Sequence, residues 1–101
     1  MSNVAAVAKL TSVPGKRDEL AEALRQAVAN THGEPGTLIY ILHADTKEHD
    51  ILWMYELYAD QAALDAHMGS EGFKAIGPAI GGLLGAAPEL HFVTPLFGKG
   101  L

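Results

Sequence analysis

Two stretches of this chain have the composition of β strands and carry apolar side chains on both faces. In the run ILWMYELY, Ile51 to Tyr58, one alternating row is apolar or aromatic throughout, and Glu56 is the only charge in the other row. The run TLIYILH, Thr37 to His43, is also mostly apolar in both rows. A sheet with one face in water alternates apolar and polar residues instead. We therefore expect both faces of this sheet to be covered.

The predicted elements follow the order strand, helix, strand, strand, helix, strand. The predicted strands are Val4 to Leu10, Thr37 to His43, Ile51 to Tyr58 and Leu90 to Phe97. The predicted helices are Lys16 to Asn30, Gln61 to Met68 and, after a break at Gly69, Ser70 to about Leu84. This β-α-β-β-α-β order predicts an α+β, ferredoxin-like fold, in which a four-stranded antiparallel sheet carries its helices on one face. It accounts for residues 1–101 as a single domain.

Helices on one face leave the other face of the sheet without a cover. A second copy of the chain would provide one if the two sheets packed face to face around a shared, barrel-like core. The composition agrees, because 49% hydrophobic residues is a high share for 101 residues. A domain of this size buries only about two-thirds of its unfolded surface. We therefore predict a homodimer.

The composition also argues against several classes of function. The formal net charge is −5, so no basic surface is expected for nucleic acid or for an anionic membrane. The absence of cysteine excludes disulfides and thiolate chemistry. The N-terminal residues do not resemble a signal peptide, and no apolar stretch reaches the roughly 18 residues of a membrane span. We expect a cytoplasmic protein without nucleic-acid or membrane partners.

The most informative polar residue is His67, which shares a helix face with Leu64 and Met68 at i, i+3, i+4 spacing. The helix then stops at Gly69 and restarts at Ser70. Histidine suits proton transfer near neutral pH, which makes His67 a candidate general base. The alternative is structural: His67 hydrogen-bonds a strand residue or Ser70 and only fixes the helix break.

The single charge in the third strand, Glu56, is the second candidate. Burial of an unpaired carboxylate is unfavourable, so Glu56 needs a partner or a raised pKa. One possibility is that it orients the imidazole of His67. The alternative is that it pairs with Lys9 across the sheet or with a backbone group.

Aromatic residues supply candidates for a substrate pocket. Tyr40, Trp53 and Phe73 could line a pocket for a flat aromatic molecule, although an aromatic residue on a strand is more often part of the core. The histidines show neither His-x-His nor His-x-x-x-His spacing. We therefore predict no metal site.

Several of these residues, in this order and at these spacings, resemble the antibiotic biosynthesis monooxygenase domain family of the dimeric α+β barrel superfamily. The resemblance extends from about Val4 to Phe97 and includes the pattern H-x-x-S-x-x-F, formed here by His67, Ser70 and Phe73. The other matching segments are Pro14-Gly15-Lys16 with Glu19-Leu20, Pro35 to Tyr40, Tyr55 to Asp60, and Ala63 to His67.

The resemblance implies a homodimer with one pocket per subunit between sheet and helices. It also implies a cofactor-independent monooxygenase, which oxidises a quinol or an aromatic polyketide-like phenol with O2 and uses no flavin, haem or metal. By the same resemblance, His67 and Glu56 would be catalytic, and Tyr40 would match the strand-two tyrosine of the family. Tyr40, Trp53, Phe73 and Ser70 are expected to bind the substrate. The alternatives are a non-enzymatic dimer that binds a small aromatic ligand, and an isomerase or lyase that uses His67 as an acid/base.

Overall fold

The computed structural model describes residues 2–101. Over these residues, one antiparallel sheet contains four strands in the order β2-β3-β1-β4. The strands are β1 (Val4–Thr11), β2 (Thr37–Ala44), β3 (Ile51–Tyr58) and β4 (Glu89–Val93). The helices are α1 (Arg17–Ala23), α2 (Arg25–Asn30), α3 (Gln61–Met68), α4 (Glu71–Lys74) and α5 (Ile76–Ile80), with 3-10 turns at Thr31–Gly33 and Gly81–Leu83. The predicted ferredoxin-like α+β fold is confirmed.

The helical segments are more broken than predicted. The expected helix from Lys16 to Asn30 is interrupted at Leu24, whose backbone N–H donates to the carbonyls of both Leu20 and Ala21, which tightens the turn. The expected helix from Ser70 to Leu84 is instead α4, α5 and a 3-10 turn, in a stretch that contains Pro78 and several glycines. Proline lacks the backbone N–H and glycine is a weak helix former, so no long helix persists there.

The last strand ends earlier than predicted. It stops at Val93 rather than Phe97. Pro95 follows two residues later, and proline cannot donate a hydrogen bond to a neighbouring strand. The residues after Val93 therefore leave the sheet.

The register of the sheet decides which side chains face the helices. Glu56 on β3 lies opposite Tyr40 on β2 and Ala6 on β1, and these three residues share the helix-facing side. Alternate residues point to opposite faces of a strand, so the even-numbered residues of β3 lie beneath the helices. The core at one end of this layer consists of Leu10, Leu20, Leu24, Leu52 and Ile80.

The opposite face of the sheet is only partly covered. It carries Ile41, Trp53 and Tyr55, and Ile41 is 51% exposed. The C-terminal segment lies along part of this face, where Pro95 and Phe97 border a groove against Tyr55. Over residues 2–101, no helix is long and apolar enough to cross a membrane.

Candidate active site

A cavity of about 470 Å³ lies between the sheet and helices α3 to α5. Its lining is mainly apolar, and Phe73, Ile76 and Leu90 contribute to it. Tyr40 and Glu56 bring polar groups to the sheet side of the cavity, and Lys74 brings a cation from α4. A largely apolar cavity with a few polar groups is typical of a small-molecule site.

Glu56 is nearly buried, with 8% of its surface exposed, and it lies beside the small Ala6. Its Oε1 atom accepts a hydrogen bond of 2.5 Å from the hydroxyl of Tyr58, two residues along the same strand. Burial raises the pKa of Glu56, while the Tyr58 hydrogen bond and the charge of His67 act in the opposite direction. The carboxyl group of Glu56 is therefore harder to ionise than that of an exposed glutamate.

The expected alternative partner of Glu56, Lys9, lies on the other face of the sheet. Its Nζ atom is 3.9 Å from a carboxylate oxygen of Glu89 and 5.9 Å from the ring centroid of Trp53. The sequence-based pairing of Glu56 with Lys9 is therefore wrong, because residues 9 and 56 project from opposite faces.

His67 is held by the helix break that the sequence indicated. The Ser70 hydroxyl donates to the carbonyl of His67 at 2.7 Å and accepts the backbone N–H of Phe73 at 3.1 Å. Ser70 thus ends one helix and caps the next. It is not among the residues that line the cavity, so the structure gives it a structural position rather than the substrate contact expected from the sequence.

The imidazole of His67 is 4% exposed and pairs with a residue that the sequence analysis did not single out. Its Nδ1 atom lies 2.8 Å from Oε1 of Glu34, which also accepts the hydroxyl of Thr37 at 2.8 Å. Glu34, not Glu56, is therefore the carboxylate that orients His67. Glu34 lies in the turn before β2, 33 residues from His67, and no sequence period links the two positions.

Three aromatic rings surround the imidazole. The ring centroids of Tyr40, Tyr58 and Phe73 lie 5.1, 5.3 and 5.3 Å from that of His67. Tyr40 and Phe73 also line the cavity, so His67 is one side chain behind the cavity wall. Within residues 2–101, the buried Nε2 atom of His67 has no hydrogen-bond partner.

Both phenols in this cluster are held in the neutral form. Burial, followed by the charges of Glu56 and Glu34, raises the pKa of Tyr40. Burial and the hydrogen bond to Glu56 raise the pKa of Tyr58 well above its ordinary range. Near neutral pH, Tyr40 can therefore act as a hydrogen-bond donor toward the cavity.

The structure brings Tyr40, Glu56, His67 and Phe73 together but places Trp53 elsewhere. The indole N–H of Trp53 donates to Oδ1 of Asp45 at 2.8 Å, on the face away from the helices. Trp53 is therefore not part of this cavity, which corrects the sequence-based expectation. No three histidine, aspartate or glutamate side chains among residues 2–101 are placed to share a metal ion.

Solved structures of similar fold cover nearly the whole chain. A proposed antibiotic biosynthesis monooxygenase from Caulobacter crescentus CB15 is 31% identical, with a TM-score of 0.88 over 95% of this chain and 92% of that chain. PA3566 from Pseudomonas aeruginosa is 29% identical, with a TM-score of 0.85 over 96% and 97% of the two chains. Rv0793 from Mycobacterium tuberculosis is 27% identical, with a TM-score of 0.88 over 98% and 100%.

The search of curated proteins gives no significant match. The sequence model of a family described as antibiotic biosynthesis monooxygenase matches residues 3–78, which include β2, β3 and α3, the elements that carry Tyr40, Glu56 and His67. This chain belongs to the antibiotic biosynthesis monooxygenase family.

Proposed function

We propose that this protein is a cofactor-independent monooxygenase, which oxidises a quinol or an aromatic polyketide-like phenol with O2. Family membership supports the reaction class. The observation that carries the proposal is the carboxyl group of Glu56, which opens onto an apolar cavity of about 470 Å³. Such a cavity suits a flat aromatic molecule, and the carboxyl group suits the removal of its phenolic proton.

In this proposal, Glu56 accepts the proton of a substrate hydroxyl, and Tyr40 donates a hydrogen bond to the resulting oxyanion. Proton transfer is most efficient when the pKa of the base approaches that of the acid. A phenol has a pKa of about 10, so the burial that raises the pKa of Glu56 brings the two groups closer. The substrate anion then reacts with O2.

With an anthrone-type phenol, the reaction would convert a CH2 group into a carbonyl group. The two hydrogens of its reacting CH2 group leave with one atom of O2 as water, and the other oxygen atom becomes the new carbonyl oxygen. All the electrons come from the substrate. The chain supplies a proton acceptor, a hydrogen-bond donor to the anion and an apolar enclosure.

His67 lies near Glu56 but behind Tyr40 and Phe73, which line the cavity. We therefore assign the direct proton transfer to Glu56, which lines the cavity, and an electrostatic role to His67. The positive charge of a protonated His67 lowers the pKa of Glu56 and so favours the ionised form that a base requires.

We also propose that the protein works as a homodimer. The sheet face away from the helices exposes Ile41, and the C-terminal segment exposes Leu96 and Phe97, the latter at 83%. Exposed large apolar side chains of this kind are typical of an interface between subunits. We propose that a second copy of the chain covers this surface.

The test is oxygen uptake with hydroquinones and anthrone-type phenols, with a chelator present and no cofactor added. The wild type, Glu56→Gln and His67→Ala are compared, and the autoxidation rate without protein is subtracted. We expect uptake by the wild type that falls by about 10²-fold or more in Glu56→Gln. Mass spectrometry after reaction under ¹⁸O2 should find one labelled oxygen atom in the product.

Other outcomes would contradict the proposal in recognisable ways. Binding of these phenols without uptake would indicate a ligand-binding protein. Product formation under strict anaerobiosis would indicate an isomerase or lyase. Uptake without labelled oxygen in the product would indicate an oxidase.

A further inference from the structure

Two of the three methionines in the sequence line the cavity. Met54 comes from β3, and Met68 is the last residue of α3. The two side chains differ in their access to solvent, since Met54 is 3% exposed and Met68 is 38% exposed. The wall of one cavity therefore holds a shielded thioether and an accessible one.

The exposure of Met68 follows from its place at the end of a helix. Leu64 shares its helix face at i, i+4 spacing and is only 5% exposed. After Met68, Gly69 ends α3 and the chain turns toward α4, so no further turn of α3 packs over this side chain. The helix lies on the side of the sheet opposite the face assigned to a second copy, and a dimer of that kind would leave Met68 accessible.

A thioether reacts with hydrogen peroxide in a two-electron step. The sulfur donates an electron pair to one peroxide oxygen, the O–O bond breaks, an S–O bond forms, and the other oxygen leaves as water. The sulfur is oxidised to a sulfoxide, and the peroxide is reduced. Because the peroxide must reach the sulfur, Met68 should react before Met54.

The product changes the character of the cavity wall. A sulfoxide is polar, whereas the neighbouring wall residues Phe73 and Ile76 are apolar. A flat aromatic molecule packed against the sulfoxide would remove water from its oxygen without offering a hydrogen bond in return. Burial of a polar group on those terms is unfavourable.

We propose that Met68 is a peroxide-sensitive modification site, and that its oxidation lowers the affinity of the cavity for flat aromatic molecules. Methionine sulfoxide reductases regenerate the thioether, so the change is reversible. The proposal goes beyond the oxidation of a phenol by O2, because it concerns binding to the cavity and requires no turnover.

The experiment measures the binding of naphthol, a flat phenol, by titration calorimetry before and after treatment with limiting hydrogen peroxide. Excess peroxide is removed before each titration. Peptide mass spectrometry gives the fraction of each methionine that carries one added oxygen atom. The wild type, Met68→Leu and Met54→Leu are each compared with their own untreated samples, because leucine keeps an apolar side chain and removes the oxidisable sulfur.

We expect the wild type to be oxidised at Met68 ahead of Met54. Its affinity for naphthol should fall by about tenfold on full oxidation at Met68, in proportion to the sulfoxide fraction at that position. Treated Met54→Leu should lose affinity to the same extent, whereas treated Met68→Leu should keep the affinity of its untreated sample. Methionine sulfoxide reductases with a thiol reductant should restore binding by the wild type.

Several results would overturn the proposal. They are equal oxidation of Met54 and Met68, unchanged affinity when Met68 is oxidised, an equal loss of affinity in treated Met68→Leu, and no binding of naphthol to the untreated wild type. If Met68→Leu does not fold, the relation between affinity and sulfoxide fraction in the wild type decides the question. A protein that oxidises no phenol but loses naphthol affinity on oxidation of Met68 would contradict the proposed function and support this inference.

Discussion

The hydroxyl of Tyr58 donates a 2.5 Å hydrogen bond to Oε1 of Glu56, and both side chains are buried. The two residues are separated by one position on β3, so they project from the same face of the sheet. Tyr58 itself does not line the cavity, whereas Glu56 does. The phenol therefore holds the carboxyl group from behind and leaves the cavity side of Glu56 to a ligand.

Glu56 should make the stability of the protein depend on pH. Its pKa in the folded protein is raised above the ordinary 4.5, so the unfolded chain gives up this proton first. Stability linked to Glu56 is complete below pH 4.5 and is lost as the pH rises through the raised value. Glu56→Gln keeps a hydrogen-bond acceptor for Tyr58 but cannot ionise, so this loss of stability at higher pH should be absent from the variant.

Thermal unfolding of both proteins at a series of pH values is the measurement. The melting temperature of Glu56→Gln relative to the wild type should increase as the pH rises from acid to neutral. A difference that is constant across that series would contradict the raised pKa of Glu56.

Tyr58→Phe should make the carboxyl group of Glu56 harder to ionise. The hydrogen bond from Tyr58 lowers the pKa of Glu56, so its removal should raise that pKa further. In the pH profile of the oxidation rate, the rise on the acid side should therefore move to higher pH. Loss of this buried hydrogen bond should also lower the free energy of unfolding by about 1–3 kcal/mol, measured by urea denaturation. An unchanged pH profile would show that the two groups do not interact in solution.

Asp45 should stabilise the turn between β2 and β3 above acid pH. Hydrogen bonds to its carboxylate lower the pKa of Asp45 to about 2. The bond from the backbone N–H of Glu48 contributes most, followed by the bond from the indole N–H of Trp53. Because this pKa is below the ordinary 3.8, the contribution is present above that value and is lost as the pH falls toward about 2.

Asp45→Ala should therefore melt at a lower temperature than the wild type at neutral pH, and the two proteins should converge in acid. Trp53 is the only tryptophan, so its fluorescence reports this contact directly. An emission spectrum identical in the two proteins at neutral pH would contradict the Trp53–Asp45 contact.

A side chain at position 36 should destabilise the protein. A Cβ atom at this position would overlap with Cβ of Ala63 on α3. The absence of a side chain lets the turn that carries Glu34 approach the helix that carries His67. Gly36→Ala should lower the free energy of unfolding by about 1–3 kcal/mol, and it should also weaken the Glu34–His67 contact seen by histidine NMR.

Gly33→Ala is the control for this change. A Cβ atom there would have no neighbour within 4 Å, so it should alter stability by only about 0.5 kcal/mol. Equal effects at positions 33 and 36 would show that the close approach to Ala63 is not the cause.

The proposed homodimer predicts a specific effect at Ile41. This side chain is half exposed on the sheet face away from the helices, so Ile41→Lys should leave the fold of one subunit intact. We expect the wild type to sediment as a dimer at micromolar concentration and the variant to sediment as a monomer. A monomeric wild type in analytical ultracentrifugation would contradict the proposal.

The sequence predicted the sheet and much of the cluster because both follow the alternation of strand residues. Tyr40 and Glu56 lie on rows that the alternation identifies, and the helix break at Gly69 and Ser70 was visible from composition. The same alternation also shows that Trp53 cannot share a cavity wall with Glu56. The two residues are an odd number of positions apart on one strand, so their side chains lie on opposite faces of the sheet.

Glu34 could not be found in this way. It lies in a turn, and its contact with His67 depends on how closely that turn approaches α3. The broken helices after Ser70 were also only partly predictable, because the weak helix formers show that a break occurs but not where each piece ends. Both features depend on tertiary packing rather than on local sequence.

The two hydrogen-bonding groups on the sheet side of the cavity and much of its apolar wall come from different parts of the chain. Strands β2 and β3 supply Tyr40 and Glu56, whereas the segment from Met68 to Leu84 supplies Phe73, Ile76 and other apolar wall residues. In the proposed reaction, proton transfer and selection of the ring system would therefore depend on different segments of the chain. An engineer could exchange the short helices to admit a different ring system and leave the proton-handling residues untouched.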